Sequence, residues 1–298
     1  MGERRLLVSL THPKRVWGRG GGASVRRMVQ RTAVVTGTSS GLGLLTATRL
    51  AGLGWNVLGT VRRPIEGLPF ETVVMDVTDD AAVTVLGDHV NQRWGRLDAL
   101  VNNAGYGLGG PVEELTGDEL RRQLDVNTVA PLMLARACLP SLRAAGGAIV
   151  QVSSVSGYSA SALFSAYNAS KFALEGASEA LRDEVVPQGV RVVLVEPGPF
   201  RTEIAGKSPQ AAARGSTGLY AEGWREIDEW LQWHATASTE PDECVDAIVR
   251  AVTDPAVPFR IPVGAGIAQV LRDRAADLTQ QADAAEAYLA GQGPALDG

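Results

Sequence analysis

The stretch TAVVTGTSSGLGLLTATRLAGLG, residues 32–54, decides the fold. It opens on a short apolar run, crosses a turn holding Gly37, Gly41 and Gly43, and continues with helical spacing to Gly54. A strand that is apolar throughout fits the middle of a parallel sheet covered by helices on both faces. Glycines between such a strand and the next helix let the chain turn tightly. They also bring backbone N–H groups close to a phosphate, and the helix N-terminus adds its dipole. The spacing is G-x3-G-x-G, not the commoner G-x-G-x-x-G. Alone, the cluster is better explained as a plain turn. Its place after a first strand reverses that preference.

Working outward, the same alternation recurs. Strands are expected at 56–61, 72–76, from 97 into the turn at 105, at 148–154, at 190–198 and at 258–264. Helices are expected at 79–95, 125–145, 166–185 and 240–252. Strands separated by helices of this length imply right-handed crossovers and a parallel sheet. No Pro/Gly/Ser linker divides residues 32–198. The expectation is a single α/β domain over 31–285, a doubly wound parallel sheet of about seven strands with helices on both faces. Residues 1–30 are expected to be a disordered extension, or to lie upstream of a true start at Met28. The looser segment 200–235 reads as a lid. Its Trp224, Trp230 and Trp233 are either an apolar wall over a substrate or anchors to the core. The alanine-rich end from 275 reads as a helix, with a tail at 286–298.

Composition excludes several classes. The chain has 298 residues, a net charge of −5 and no basic footprint for nucleic acid beyond its first thirty-one residues. The longest apolar run there, LLVSL, is too short for a signal-peptide core. No run of eighteen apolar residues exists, so no membrane span is expected. Cys138 and Cys244 lack metal spacing and read as buried thiols in a reducing, cytoplasmic compartment. His12, His89 and His234 form no local cluster, which argues against a His-based metal site or triad.

Two further places carry chemistry. The second strand ends GTVRRP, so Val61 stands about where a sheet that binds NAD carries an acid for the ribose hydroxyls, and Arg62 and Arg63 follow. A guanidinium pairs with a 2′-phosphate through a planar fork where an acid would repel it. This favours NADP(H), against the plainer reading of two solvated loop arginines. Asp76 is placed to accept from an adenine amino group or to serve as an ordinary cap. The second place is AYNASKFAL, residues 166–174, where Tyr167 and Lys171 lie one helical turn apart on one face. The chain has only three lysines, Lys14, Lys171 and Lys207, among 28 basic residues. A compact ammonium beside a phenol favours the phenolate and still reaches a cofactor ribose.

Together these residues resemble the short-chain dehydrogenase/reductase family over about residues 31–265. The motif T-G-x3-G-x-G falls on Thr36 to Gly43, N-N-A-G on Asn102 to Gly105, and Y-x3-K on Tyr167 and Lys171. SSVSG and YNASKFALEG look especially like the branch of 17β-hydroxysteroid and retinol-type enzymes. The resemblance implies a Rossmann fold and an NADP(H)-dependent oxidoreductase acting on a ketone, an aldehyde or a secondary alcohol of a hydrophobic substrate. It implies Tyr167 as the acid/base, Ser154 as the hydrogen-bond donor to the carbonyl, Lys171 as ribose contact and tuner of Tyr167, and Asn127 as holder of a relay water. For the cofactor it implies Gly37, Ser39, Ser40, Gly41, Leu42, Gly43, Arg62, Asp76, Val77, Asn103, Ala104, Gly105, Tyr167, Lys171, Pro197, Gly198 and Thr202. Many NADP-using members carry a basic residue where this chain has Ser40, so the NADP preference rests on Arg62. An NAD-preferring dehydrogenase and a non-catalytic dinucleotide-binding regulator are the alternatives. A homodimer or homotetramer, paired through the helices near 125–145 and 166–185, is expected by resemblance.

Overall fold

The structure, a computed structural model, describes residues 30–201, 209–236 and 239–290. Strands β1 (Thr32–Val35), β2 (Asn56–Val61), β3 (Glu71–Val74), β4 (Ala99–Asn102), β5 (Ala148–Val152), β6 (Arg191–Pro197) and β7 (Arg260–Val263) form one sheet in the order β3-β2-β1-β4-β5-β6-β7. Every pairing is parallel. The helices are α1 (Gly41–Gly52), α2 (Asp80–Trp94), α3 (Gly117–Leu124), α4 (Ala130–Ala145), α5 (Ser165–Val185), α6 (Ala221–Thr236), α7 (Asp242–Thr253) and α8 (Ile267–Leu289).

Side chains alternate across each strand, so each face has its own core. Ala33, Val35, Ala99 and Val101 pack with Leu50 of α1 and Cys244 and Ile248 of α7. Val34, Leu100 and Ile149 meet Leu86 of α2 and Leu134, Cys138 and Leu142 of α4 on the other face. Both cysteines are core atoms, and burial pushes each thiol up to about 12, so neither is a thiolate near neutral pH.

The chain runs outward from β1 through β2 to β3, then crosses back to place β4 on the other side of β1. That reversal opens a crevice beyond the carboxyl ends of β1 and β4, where doubly wound sheets bind ligands. β3 ends at Val74 and β5 at Val152, two residues short of the expected bounds, so Asp76 and Ser154 lie on loops at that edge. The expected helix at 125–145 has earlier parts. Helix α3 begins at Gly117, and a π-helical turn, Asp125–Val129, joins it to α4. Thr116 Oγ1 accepts from the Glu119 N–H at 3.2 Å while Glu119 accepts from the Thr116 N–H at 2.8 Å. TGDE at 116–119 was the capping-box signal for this helix. Helix α8 likewise starts at Ile267, ahead of the expected 275.

Candidate active site

The glycine turn is locked to its neighbours by two side chains that bond main-chain groups. Thr36 Oγ1 accepts from the N–H groups of Asn103 and Ala104, both at 2.9 Å, and Asn103 Nδ2 donates to the Thr36 carbonyl at 2.9 Å. These bonds stitch the carboxyl end of β1 to that of β4. Gly37 has φ 70°, a conformation that favours glycine. A β-carbon at Gly43 would stand 2.4 Å from the Gly37 carbonyl oxygen and from Asn103 Nδ2. The first helical turn therefore sits closer to the loop than any larger residue permits.

Beyond this turn lies a cavity of about 570 Å³. Of the expected cofactor residues, Gly37, Ser39, Ser40, Gly41, Leu42, Arg62, Asp76, Val77, Asn103, Ala104 and Gly105 line it. Gly43 packs beneath. Arg62 is exposed and has no ion pair among the described residues. These features fit a dinucleotide: a backbone cradle at a helix N-terminus for the pyrophosphate, and a guanidinium at the end of the second strand. Asp76 faces the cavity with its carboxylate already engaged. Oδ1 accepts from the Thr78 N–H and hydroxyl, and Oδ2 from Arg122 Nη2 at 2.7 Å. Burial alone would raise the Asp76 carboxyl, but these donors outweigh it and hold it below its usual value. Arg122, from α3, was not anticipated. Without α3 in the sequence reading, nothing aimed it at this cavity.

A second cavity, about 430 Å³, adjoins the first and shares Leu42, Asn103, Gly105 and Tyr106 with it. Ser154, Tyr167, Lys171, Pro197 and Gly198 line it. Ser154 follows β5, and its Oγ accepts from the Ser156 N–H at 3.1 Å, which orients the hydroxyl. Tyr167 and Lys171 come from the first turns of α5. Lys171 Nζ donates to the Val152 carbonyl at 2.9 Å and lies 5.9 Å from the Tyr167 ring centre. Burial pushes the ammonium down to about 8, and the Glu175 charge opposes this. The Tyr167 phenol borders the cavity yet is enclosed by protein, and this desolvation raises it above its ordinary value; a hydrogen bond with Ser154 works the other way. The expected lowering of Tyr167 by Lys171 is not found: burial raises the phenol, and the opposing contribution comes from Ser154.

Asn127 stands apart, since neither cavity touches it. It is buried in the π-helical turn. Its Nδ2 donates to the Tyr106 carbonyl at 2.9 Å and to Ser170 Oγ at 3.0 Å, and its Oδ1 accepts from the Tyr106 N–H at 3.2 Å. Asn127 therefore fastens the loop that both cavities share to the helix that carries Tyr167. Thr202 lies outside the described residues.

The apolar wall of the second cavity comes from Leu163, Phe164, Phe200, Ile227, Trp230 and Leu231. Phe164 and Trp230 meet edge to face at 5.5 Å. Leu163 holds the left-handed conformation, φ 63°, its carbonyl accepting from the Gly110 N–H at 2.6 Å. The tryptophans divide between the two expected roles. Trp230 is cavity wall. Trp224 is an anchor: it is buried, and its Nε1 donates to Glu114 at 2.7 Å. Trp233 is exposed and lines neither cavity. Glu114 is itself buried and also accepts from the Gly215 N–H and from the Thr217 N–H and hydroxyl. Burial would raise its carboxyl, yet these donors together keep it below its usual value. No pattern around PVEEL distinguished Glu114 from Glu113 in the sequence.

The short chain dehydrogenase family model matches residues 31–213. The 3-ketodihydrosphingosine reductase of Bacteroides thetaiotaomicron is 35% identical over 239 residues, 80% of this chain and 89% of that protein. Human 17-beta-hydroxysteroid dehydrogenase type 1 is 32% identical over 250 residues, 76% of each. A solved short-chain dehydrogenase from Streptomyces avermitilis is 34% identical, with a TM-score of 0.76 over 89% of this chain and 98% of its own. Matching solved structures hold NADP in some cases and NAD in others, which leaves the choice between them to this chain's own residues.

Proposed function

The chain belongs to the short-chain dehydrogenase family, and from that premise we propose that it is an NADP(H)-dependent oxidoreductase of a hydrophobic ketone, aldehyde or secondary alcohol. The single observation that carries this is the continuity of the two cavities. The cradle at the start of α1 opens through Leu42, Asn103, Gly105 and Tyr106 onto Ser154, Tyr167 and Lys171. The bound dinucleotide would supply or accept the hydride. The protein does the rest. Gly37 to Gly43 receive the pyrophosphate, and Arg62 pairs with a 2′-phosphate through two parallel hydrogen bonds. Lys171 donates to the nicotinamide ribose. Ser154 donates to the substrate oxygen, and Tyr167 passes its proton to that oxygen as negative charge develops there. A phenol kept protonated by burial suits the direction of reduction. Asn127 holds the shared loop in place. With both amide N–H groups engaged, it reaches a relay water only through an oxygen. Hydrophobic substrate is favoured by the wall of Phe164, Phe200, Ile227 and Trp230. The chain is further proposed to pair with a second copy through α4 and α5, which sedimentation would test.

The test is NADPH consumption against hydrophobic ketones and aldehydes, run beside Tyr167→Phe and repeated with NADH. Turnover lost in the variant and preference for NADPH are expected. Equal turnover with Phe at 167 would sink the assignment of the proton donor.

A further inference from the structure

Behind Lys171, away from both cavities, lies a buried acidic cluster that the proposed chemistry does not use. Glu175 follows Lys171 by one turn of α5 and is buried, and Glu196 of β6 is fully buried. One guanidinium, Arg260 of β7, serves three carboxylates. It reaches Glu175 Oε2 at 3.1 Å, Glu179 Oε1 at 2.8 Å and Glu196 Oε1 at 3.1 Å. The remaining Glu175 oxygen, both Glu196 oxygens, the Ser153 hydroxyl and the Tyr158 hydroxyl are buried without a well-aligned hydrogen bond. The cluster presses on the turn after Ser154, where a β-carbon at Gly157 would stand 2.7 Å from Glu175 Cγ.

The buried carboxylates are not satisfied as they stand. Glu179 is 54% exposed and screened by water, which leaves Glu175 and Glu196 facing Lys171 and Arg260, with one Glu175 oxygen and both Glu196 oxygens lacking an aligned donor. A desolvated carboxylate without donors is relieved by taking up a proton. Two facing carboxylates have no donor between them, whereas one proton gives the pair a hydrogen bond. We infer that Glu175 and Glu196 share a single proton and act together as a positioning pair, whose one remaining charge keeps Lys171 cationic beside Tyr167.

The electrostatics agree. Burial and the neighbouring Glu175 charge push Glu196 up to about 8, against the pull of Arg260. Burial also raises Glu175, with Ser153, Arg260 and Lys171 opposing. Tyr158 is pushed up to about 12 by burial and by both glutamates, so it remains a neutral donor facing the pair. Tyr167, Glu179 and Arg260 complete the charged and titratable surroundings.

The two partners have opposite effects on Lys171. Removing the Glu175 charge moves the remaining one to Glu196, next to Arg260. Removing Glu196 leaves a full charge on Glu175, one helical turn from Lys171. With only three lysines in the chain, a protein labelled with 13Cε-lysine gives three signals, and Lys171→Arg identifies the one that matters. Its titration in the full chain is followed from pH 6 to 11 without cofactor or substrate. Glu175→Gln is expected to lower the Lys171 midpoint by about one pH unit and Glu196→Gln to raise it. One unchanged midpoint in all three proteins, or movement in the same direction in both variants, overturns the pair. Circular dichroism reports folding of each variant. Should Glu175→Gln not fold, Glu196→Gln decides alone, and a midpoint equal to or below that of the parent rejects the inference. The kinetic consequence rests on the proposed role of Lys171. The alkaline limb of kcat/KM with NADPH should move with the lysine midpoint. A shifted midpoint without any turnover would count against the reductase reading and leave the proton-sharing pair standing.

Discussion

The two adjoining cavities are built in different ways. The one at the glycine turn is made largely of main chain: backbone N–H groups, a helix N-terminus, and a turn clamped by Thr36 and Asn103. The one at Tyr167 is walled by side chains from the loops after β4, β5 and β6 and from α6. A main-chain cradle recognises what every dinucleotide has in common and tolerates little change. A side-chain wall can be rebuilt residue by residue without disturbing the sheet. The catalytic group proposed for this chain, Tyr167, lines the side-chain-walled cavity, which the shared residues join to the cradle.

Replacing Tyr167 by Phe should have the largest effect, because it removes the proton donor and leaves both walls intact. Turnover should fall on the order of 10²- to 10⁴-fold with an unchanged melting temperature. A stopped reaction with normal NADPH binding would place the chemistry in the side-chain-walled cavity and not in the cradle.

Gly43→Val attacks the cradle itself. The new side chain meets backbone, which cannot swing aside, so a loss of about 1–3 kcal/mol in stability is expected together with weakened NADPH binding. Thermal unfolding with and without NADPH reads both. A fully tolerated valine would contradict the rigid-cradle half of the comparison.

Arg62→Asp changes the cradle's discrimination without touching its shape. The NADPH-over-NADH ratio of kcat/KM should fall by roughly 10- to 100-fold, as for loss of a charge-assisted hydrogen bond of about 1.5–3 kcal/mol. An unchanged ratio would pass the role to Arg122, the other guanidinium on that cavity.

Trp230→Leu should be the mildest change, raising KM for bulky ketones several-fold while kcat and NADPH affinity hold, since it trims an exposed edge of the wall. Trp224→Phe makes the contrast: it removes one of the four donors to the buried Glu114 carboxylate, so the loss should appear in thermal stability as well.

Stability should also depend on pH in two windows of opposite sign. Glu196 is raised from 4.5 to about 8, so between those values the folded chain keeps a proton that the unfolded chain releases, and its contribution to stability falls as pH rises. Lys171 is depressed from 10.5 to about 8. Between about 8 and 10.5 the unfolded chain holds the extra proton, and the burial penalty is relieved as pH rises. Denaturant midpoints from pH 5 to 10 should therefore show the first slope vanish in Glu196→Gln.

By itself the sequence determined the sheet, the glycine cradle and the Tyr167/Lys171 pair. Strand burial, turn chemistry and i,i+4 spacing act within a few residues, and the chain writes them contiguously. It also placed Arg62, because that residue directly follows a strand whose end could be read. Tertiary structure decided the rest. Whether Asp76 is free or held by Arg122 depends on a helix forty residues away. Glu114 became the lid's anchor, and not Glu113, because burial, three donors from Gly215 and Thr217 and the Trp224 indole converge on one carboxylate from segments about a hundred residues downstream. Glu175, Glu196 and Arg260 look like ordinary surface charges on separate elements until the parallel order β5-β6-β7 stacks them beneath Lys171. Local pattern specifies backbone geometry. The environment of a buried charge is set by whichever distant segments the sheet brings against it, and no short stretch of sequence carries that information.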